Sequence, residues 1–279
     1  MTLWLETLSQ TQLECHYVIE KLSVKEVLML SFVRRFFEIE SVKEDVVDYQ
    51  SRFLNYKNIV EKSNTSERIV VVKNLLSIII EYLSFDEAIQ TIETVHDAQN
   101  NSSIETIYNM LADRNDVITD EIICEKIHPD DLKFYRDKTI REDGPIKIAI
   151  REFPILLNTW NSDRIIRNFK DINDNNVFDG ERYSSNIENH YIYPMDIVVC
   201  NGANHSQFAA RFQHEGQTVI KAVYNYSNLY EKIYFDGLNY RKKLDDSTIA
   251  LSYDKKIIFY SGVIFELGRY LLEAEYHRF

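Results

Sequence analysis

The 279-residue chain carries 32 Lys and Arg against 44 Asp and Glu, a net charge of −12, with 45% hydrophobic and 27% charged residues. These are ordinary globular proportions and argue against a disordered or fibrous chain. The start, MTLWLETLSQTQLECHYVIE, lacks the basic opening, continuous apolar stretch and small-residue cleavage site of a signal peptide.

The greasiest segment, Ile69 to Leu83, contains Lys73 and Asn74. It is shorter than the roughly 20 apolar residues of a membrane span, so it reads as a buried element, and a cytoplasmic protein is expected. Cys15, Cys124 and Cys200 are odd in number and form no CxxC pair. They read as ordinary buried thiols in a reducing compartment.

All seven glycines lie at or beyond Gly144, and residues 1–143 hold a net charge of −11 against −1 for 144–279. The expected organisation is α+β: an acidic all-helical domain over 1–143, then an α/β domain over 144–279. An acidic helical surface repels phosphate backbones and suits a basic protein partner, or plain solubility.

In the first half, Ser-x-x-Glu recurs at Ser23/Glu26, Ser41/Glu44, Ser84/Glu87 and Ser102/Glu105, with Asn64/Glu67 a looser version. A serine oxygen can accept from the third backbone N–H while the glutamate reaches back, so each pair predicts a helix start. Helices are expected near 3–22, 24–40, 42–62, 65–83, 85–99, 103–112 and 117–127, with Pro129 stopping the last, and a further one near 130–140. The β-branched run from Ile69 could instead form a strand, but its length and capped start favour helix. His96-Asp97 evokes helical metal-dependent phosphohydrolases, but His16 is the only other histidine before residue 128. A solvated pair is the better reading.

Beyond Gly144 the texture changes. PIKIAI (145–150) predicts a strand and Phe153 to Leu157 a second extended run. Asn158-Thr159-Trp160 reads as a turn, and Asn161 or Ser162 can cap a short helix carrying Arg164 and Arg167. Asp179-Gly180 signals a hairpin. Ile197 to Cys200 predicts a buried strand, Asn201 to Asn204 a tight turn, and His205-Ser206 the opening of a helix to Gln213, closed by Gly216. VIKAVYNY (219–226) predicts a returning strand. A strand, glycine turn and helix point free N–H groups at one spot where an anion can bind. A histidine there is held neutral by the helix dipole. The alternative is that Asn204 and Ser206 cap the helix and His205 only bonds the turn.

LLNTWNSDR (156–164) and VVCNGANHSQFAARFQHEG (198–216) together resemble the ParB/sulfiredoxin-like domain. NGANHS with YNYSNLYEKIYFDGLNYRK (224–242) is more closely similar to an uncharacterised bacterial and phage family of unknown function with an Asn-Gly-x-Asn-His-Ser signature. The resemblance spans about 145–242. It implies a turn and helix that hold nucleotide phosphates, and some ParB-like members hydrolyse nucleotides or cut DNA. It carries to Gly202, His205, Asn161 and Arg164, with Ala209 and Ala210 as packing residues. Ser206 stands where that family has a phosphate-gripping arginine, and Thr159 replaces a proline, which weakens the case for hydrolysis. Arg164, Arg182 or Arg211 could substitute from another direction.

His190, His205, His214 and Asp196 are numerous enough for a metal but lack helical ligand spacing, so no metal ligand is assigned and the residues point to no particular cofactor. Tyr224, Tyr226, Tyr230, Tyr234, Phe235 and Tyr240, followed by Arg241-Lys242-Lys243, could stack bases, though half-buried sheet residues are the plainer reading. Gly262 to Phe279 reads as an amphipathic helix after a hairpin turn at Asp254-Lys255.

Two functions follow. The first is a non-catalytic interaction protein in the style of a phage or mobile element, binding a basic host defence or DNA-binding protein through Glu38, Glu40, Glu44, Asp45 and Asp48. The second is a ParB/sulfiredoxin-like nucleotide-binding protein, nucleotide hydrolase or nuclease. It would use His205 and Asn204 in catalysis and Asn201, Gly202, Ser206, Asn158, Trp160, Asn161, Arg164 and Arg182 as ligand contacts. A membrane partner is not expected. A nucleotide and a second copy of the chain stay open as further partners.

Overall fold

The computed structural model describes residues 48–94, 101–125, 127–135 and 138–279. The helices expected at 3–22 and 24–40, the acids Glu38, Glu40, Glu44 and Asp45, and His96-Asp97 lie outside these residues. Three helices open the described chain: α1 (Tyr49–Lys62), α2 (Thr65–Thr94) and α3 (Ser103–Arg114). Asn64 starts α2, its carbonyl accepting from Glu67 and Arg68 N–H.

The expected break at Ser84 does not occur, and α2 runs 30 residues through it. Ser84 Oγ instead accepts from Leu157 N at 3.1 Å and donates to Ile155 O at 3.4 Å. Thr91 donates to Thr159 O at 2.8 Å, and the buried Asn101 amide to Leu83 O and Leu157 O. What reads locally as a capping signal is a row of small polar side chains tying a strand end to the helix. Such a short strand has backbone groups that need partners.

The first half is not all-helical. The helix expected at 117–127 is strand β1 (Asp120–Ile123), and the one near 130–140 is a 3-10 turn at Pro129–Tyr135 followed by β2 (Thr139–Ile140). Then come β3 (Ile146–Ala149), β4 (Ile155–Leu156), α4 (Ser162–Asp171), β5 (Asn189–Tyr193), β6 (Ile197–Cys200), α5 (Asn204–Gln213), β7 (Gln217–Ile220) and β8 (Ala222–Asn225). The short α6 (Leu229–Lys232), strands β9 (Ile233–Phe235), β10 (Tyr240–Lys242) and β11 (Thr248–Ile249), and α7 (Lys255–Glu273) complete the chain. The protein is therefore mixed α/β.

Its main sheet is six-stranded in the order β2-β1-β8-β5-β6-β4, with β3-β7 and β11-β10-β9 as separate small sheets. The strand expected over 219–226 divides at Lys221 into β7 and β8, which enter different sheets. Asp179-Gly180 is no hairpin: Asp179 Oδ1 accepts from Glu181 N at 3.0 Å and from the Gln217 amide at 3.1 Å. Asp254 is the N-cap of α7, accepting from Lys256 N, not part of a hairpin.

Side-chain alternation sends Ile192, Ile197 and Val199 into one hydrophobic core with α1, α2, α3 and α7, and Tyr191, Val198 and Cys200 into another with α5 and the β3-β7 pair. Both cores draw residues from each side of Gly144. The glycine boundary is thus a boundary of composition and does not divide the cores. Helix α7 is buried along most of its length; a Cβ at Gly262 would lie 2.4 Å from the Phe235 ring, so only glycine admits that ring. Tyr226, Tyr230 and Tyr240 of the tyrosine tract are core, their hydroxyls donating to Asn109, Phe265 O and Ser261, while Tyr224 and Tyr234 are half-buried. This leaves the core rings no face for bases.

Candidate functional site: the joined turns after β4 and β6

Strands β4 and β6 are parallel, Ile155 opposite Val198 and Leu156 opposite Val199, so the turns that follow them emerge side by side. The first turn, Asn158 to Trp160, leads into α4, whose N-cap Asn161 accepts from Arg164 N at 2.9 Å as its residue type predicts. The second, Asn201 to Ala203, leads into α5.

Gly202 is required by close approach, because a Cβ would stand 2.3 Å from Asn186 O. The left-handed residue is Ala203, φ 52°, and the left-handed residue that closes α5 is His214, ahead of Gly216. Neither serine nor asparagine caps α5, whose N-cap Ala203 makes no side-chain bond.

The signature residues join the two turns. Asn204 Oδ1 accepts from Asn158 N at 3.0 Å. His205 Nε2 accepts from Trp160 N at 3.3 Å and Asn161 N at 3.1 Å, which places the ring proton on Nδ1. The imidazole is buried, with the Trp160 indole edge-on to it at 5.1 Å and the Arg164 guanidinium over that indole at 4.7 Å. Burial, then Arg164 and Arg167, push the His205 pKa down from 6.5 to about 4. It is neutral at pH 7 because its surroundings oppose a positive charge.

Beneath the turn lies a network that nothing in the sequence flagged. The fully buried Gln207 donates to Gly202 O at 2.8 Å and Asn189 Oδ1 at 3.1 Å, and accepts from Thr218 at 2.7 Å and Asn189 Nδ2 at 3.0 Å. Every hydrogen-bonding group of its amide is used, which rigidifies the turn.

Of the expected ligand contacts, Ser206 alone lines a cavity of about 230 Å³, bounded also by Asn168, Asn186, Tyr183 and Phe178. Its hydroxyl donates to Asn168 Oδ1 at 2.8 Å. Arg182 is exposed and lies over Tyr183. Arg211 cannot replace the missing arginine, since it is engaged by Glu81 and Ile150 O. Asp48 is exposed.

Asn201 belongs elsewhere. Its amide donates to Glu105 Oε2 at 2.8 Å, and His190 Nδ1 donates to Glu105 Oε1 at 2.7 Å. Here the first turn of α3 meets β5 and β6. Tyr224 stands edge-on to His190 and donates to Glu121 at 3.2 Å; burial and Glu121 raise its pKa. Glu105 read as a capping glutamate, and only the fold brings it to a histidine 85 residues away. Asp196 is held by Tyr191 and Arg278, and among the described residues no group of His, Cys, Asp and Glu could hold a metal ion.

A family model described as a family of unknown function, DUF6710, matches residues 35–278. The chain belongs to that family. Neither the curated proteins nor the solved structures gave a match. No described helix is long and apolar enough to cross a membrane.

Proposed function

We propose that this DUF6710 protein is a non-catalytic interaction module whose NGANHS turn is a structural latch. The observation that supports this is His205 Nε2: the atom a general base would use already accepts two backbone N–H bonds. Asn204 is spent in the same way, on Asn158 N. The charge distribution supports a basic partner, with −11 of the −12 in residues 1–143. A host defence or DNA-binding protein whose basic face is blocked by a phage or mobile-element product is the form this reading takes. The test compares His205→Gln with reversal of Glu38, Glu40, Glu44, Asp45 and Asp48, using capture of a partner from host lysate and its salt dependence. The reading expects loss of the partner on charge reversal and retention in the folded His205→Gln protein. The opposite pattern sinks it.

The cavity beside Ser206 favours a second reading, a ParB/sulfiredoxin-like nucleotide-binding protein. Its walls offer asparagine amides and the Tyr183 ring, together with the carboxylate residue Asp171. A nucleotide at 100 times its dissociation constant would stabilise the fold by about 2.7 kcal/mol, readable as a thermal shift. Flat melting curves across a nucleotide panel would remove this reading.

A further inference from the structure

Helix α7 ends at Glu273, and Tyr276 N–H bonds back to Leu271 O at 3.0 Å while the Tyr276 hydroxyl accepts from Lys73 at 3.1 Å. The next three residues behave differently. Among the described residues, His277, Arg278 and Phe279 make no backbone–backbone hydrogen bond. Their side chains alone hold them against the sheet.

The central contact is Arg278 on Asp196. Its Nε donates to Asp196 Oδ1 at 2.6 Å and its Nη2 to Oδ2 at 2.5 Å, while the Tyr191 hydroxyl donates to Oδ1 at 2.8 Å. The guanidinium lies over the Phe153 ring at 4.4 Å. The Phe279 ring stacks on Phe153 at 5.8 Å and meets Tyr191 edge-on at 4.9 Å, and His277 stacks on Tyr193 at 4.9 Å. With the arginine in place Asp196 is 2% exposed. Without it, a carboxylate would stand unpaired in an aromatic cleft, which is costly. The cleft is selective: a planar guanidinium satisfies both oxygens and stacks on Phe153, which an ammonium cannot do.

We propose that this cleft is a recognition site for an arginine-aromatic segment of a partner protein, occupied in cis by residues 277–279 until that segment displaces them. Lacking backbone bonds, and with His277 and Phe279 exposed, the three residues belong to the part of the fold that opens most readily. Being tethered, they compete at high effective concentration. The choice of a protein partner rests on the interaction reading above, whose basic partner offers arginines. The cleft itself is tested without that partner.

The probe is a fluorescein-labelled, end-blocked Tyr-His-Arg-Phe peptide, titrated with the full chain by fluorescence polarisation. Arg278→Ala, which empties the carboxylate site, should bind the peptide about tenfold or more tightly than wild type. A peptide with lysine in place of the arginine should bind about tenfold more weakly. Adding Asp196→Asn to Arg278→Ala should abolish binding while steadying the fold, since it removes the unpaired buried charge. A purely structural ion pair would change stability and bind no peptide, and that result overturns the proposal. Where Arg278→Ala does not fold, Phe279→Ala decides: it loosens the segment with the ion pair kept, and peptide binding no tighter than wild type overturns the proposal. Equal affinity for the arginine and lysine peptides overturns it as well. A wild-type dimer that Arg278→Ala dissolves in sedimentation velocity assigns the cleft to a second copy and overturns the partner. None of these outcomes depends on the charge-reversal experiment, so the cleft can fail while the acidic surface stands.

Discussion

His205 and His190 occupy two joints of the same sheet and do opposite work. His205 is an acceptor: buried beside arginines, its pKa pushed down to about 4, it takes two backbone N–H bonds and stays neutral. His190 is a donor, its Nδ1–H held by the buried carboxylate of Glu105. The first histidine closes a turn on its neighbour; the second ties helix α3 to β5 through a charge. A histidine's role is decided by what its two nitrogens meet, and a local motif can advertise one case while leaving the other silent.

The comparison can be broken most sharply at Gly202. Gly202→Val places atoms where Asn186 O stands, 2.3 Å from the new Cβ, and should cost about 3 kcal/mol. Denaturant unfolding with an unchanged midpoint would mean that the two segments are not so close.

Gln207→Leu should cost about 2 kcal/mol, because Asn189 Oδ1 loses its buried donor and the Thr218 hydroxyl its buried acceptor, while Asn189 Nδ2 keeps Thr218 Oγ1 and Val219 O. The Asn189→Leu/Gln207→Leu double variant should be less destabilised than the sum of its singles. Strict additivity would show that the network is not one unit.

His205→Ala should cost roughly 1–3 kcal/mol at neutral pH through two unsatisfied N–H groups. The sign of its pH dependence follows from the lowered pKa. As pH falls below 6.5 the unfolded chain takes up the proton first, while the folded ring resists until about pH 4. The contribution of His205 is therefore complete above pH 6.5 and shrinks as pH falls toward 4. The gap in Tm between wild type and His205→Ala should narrow over that window, and a constant gap would contradict the assignment.

Glu105→Gln should have the smallest effect, about 1 kcal/mol, since an amide oxygen still accepts one of the two bonds from His190 and Asn201. Its signature is local. Hydrogen exchange should quicken in the first turn of α3 before it changes in α5, whereas His205→Ala should act on α4 and α5 first. Identical exchange patterns would merge the two joints into one.

Much of the site's backbone was legible in the sequence. Asn161 caps α4, Ile197 to Cys200 is a buried strand, and the glycine of the Asn201 to Asn204 turn meets a neighbouring carbonyl. Each of these depends on few residues and short range. Strand β1 was misread because Asp120 to Ile123 lies between charged residues with no alternation to mark it, and pairing with β8 on one side and β2 on the other fixes it as strand. Ser84 and Glu105 were misread because a serine or glutamate offers the same oxygen to its own helix and to a distant segment.

By itself, then, the sequence determined the Asn161 cap of α4, the buried β6 strand and the tight turn at Gly202, which follow from neighbours a few residues apart, and the asymmetry of charge. Tertiary structure alone decided that Asn201 turns away from His205 to Glu105, that Gln207 completes a network with Asn189 and Thr218, and that two cores cross Gly144. The physical reason is that a polar group commits to whichever partner the packing brings within 3 Å, and burial makes leaving it unpaired too costly for any other choice.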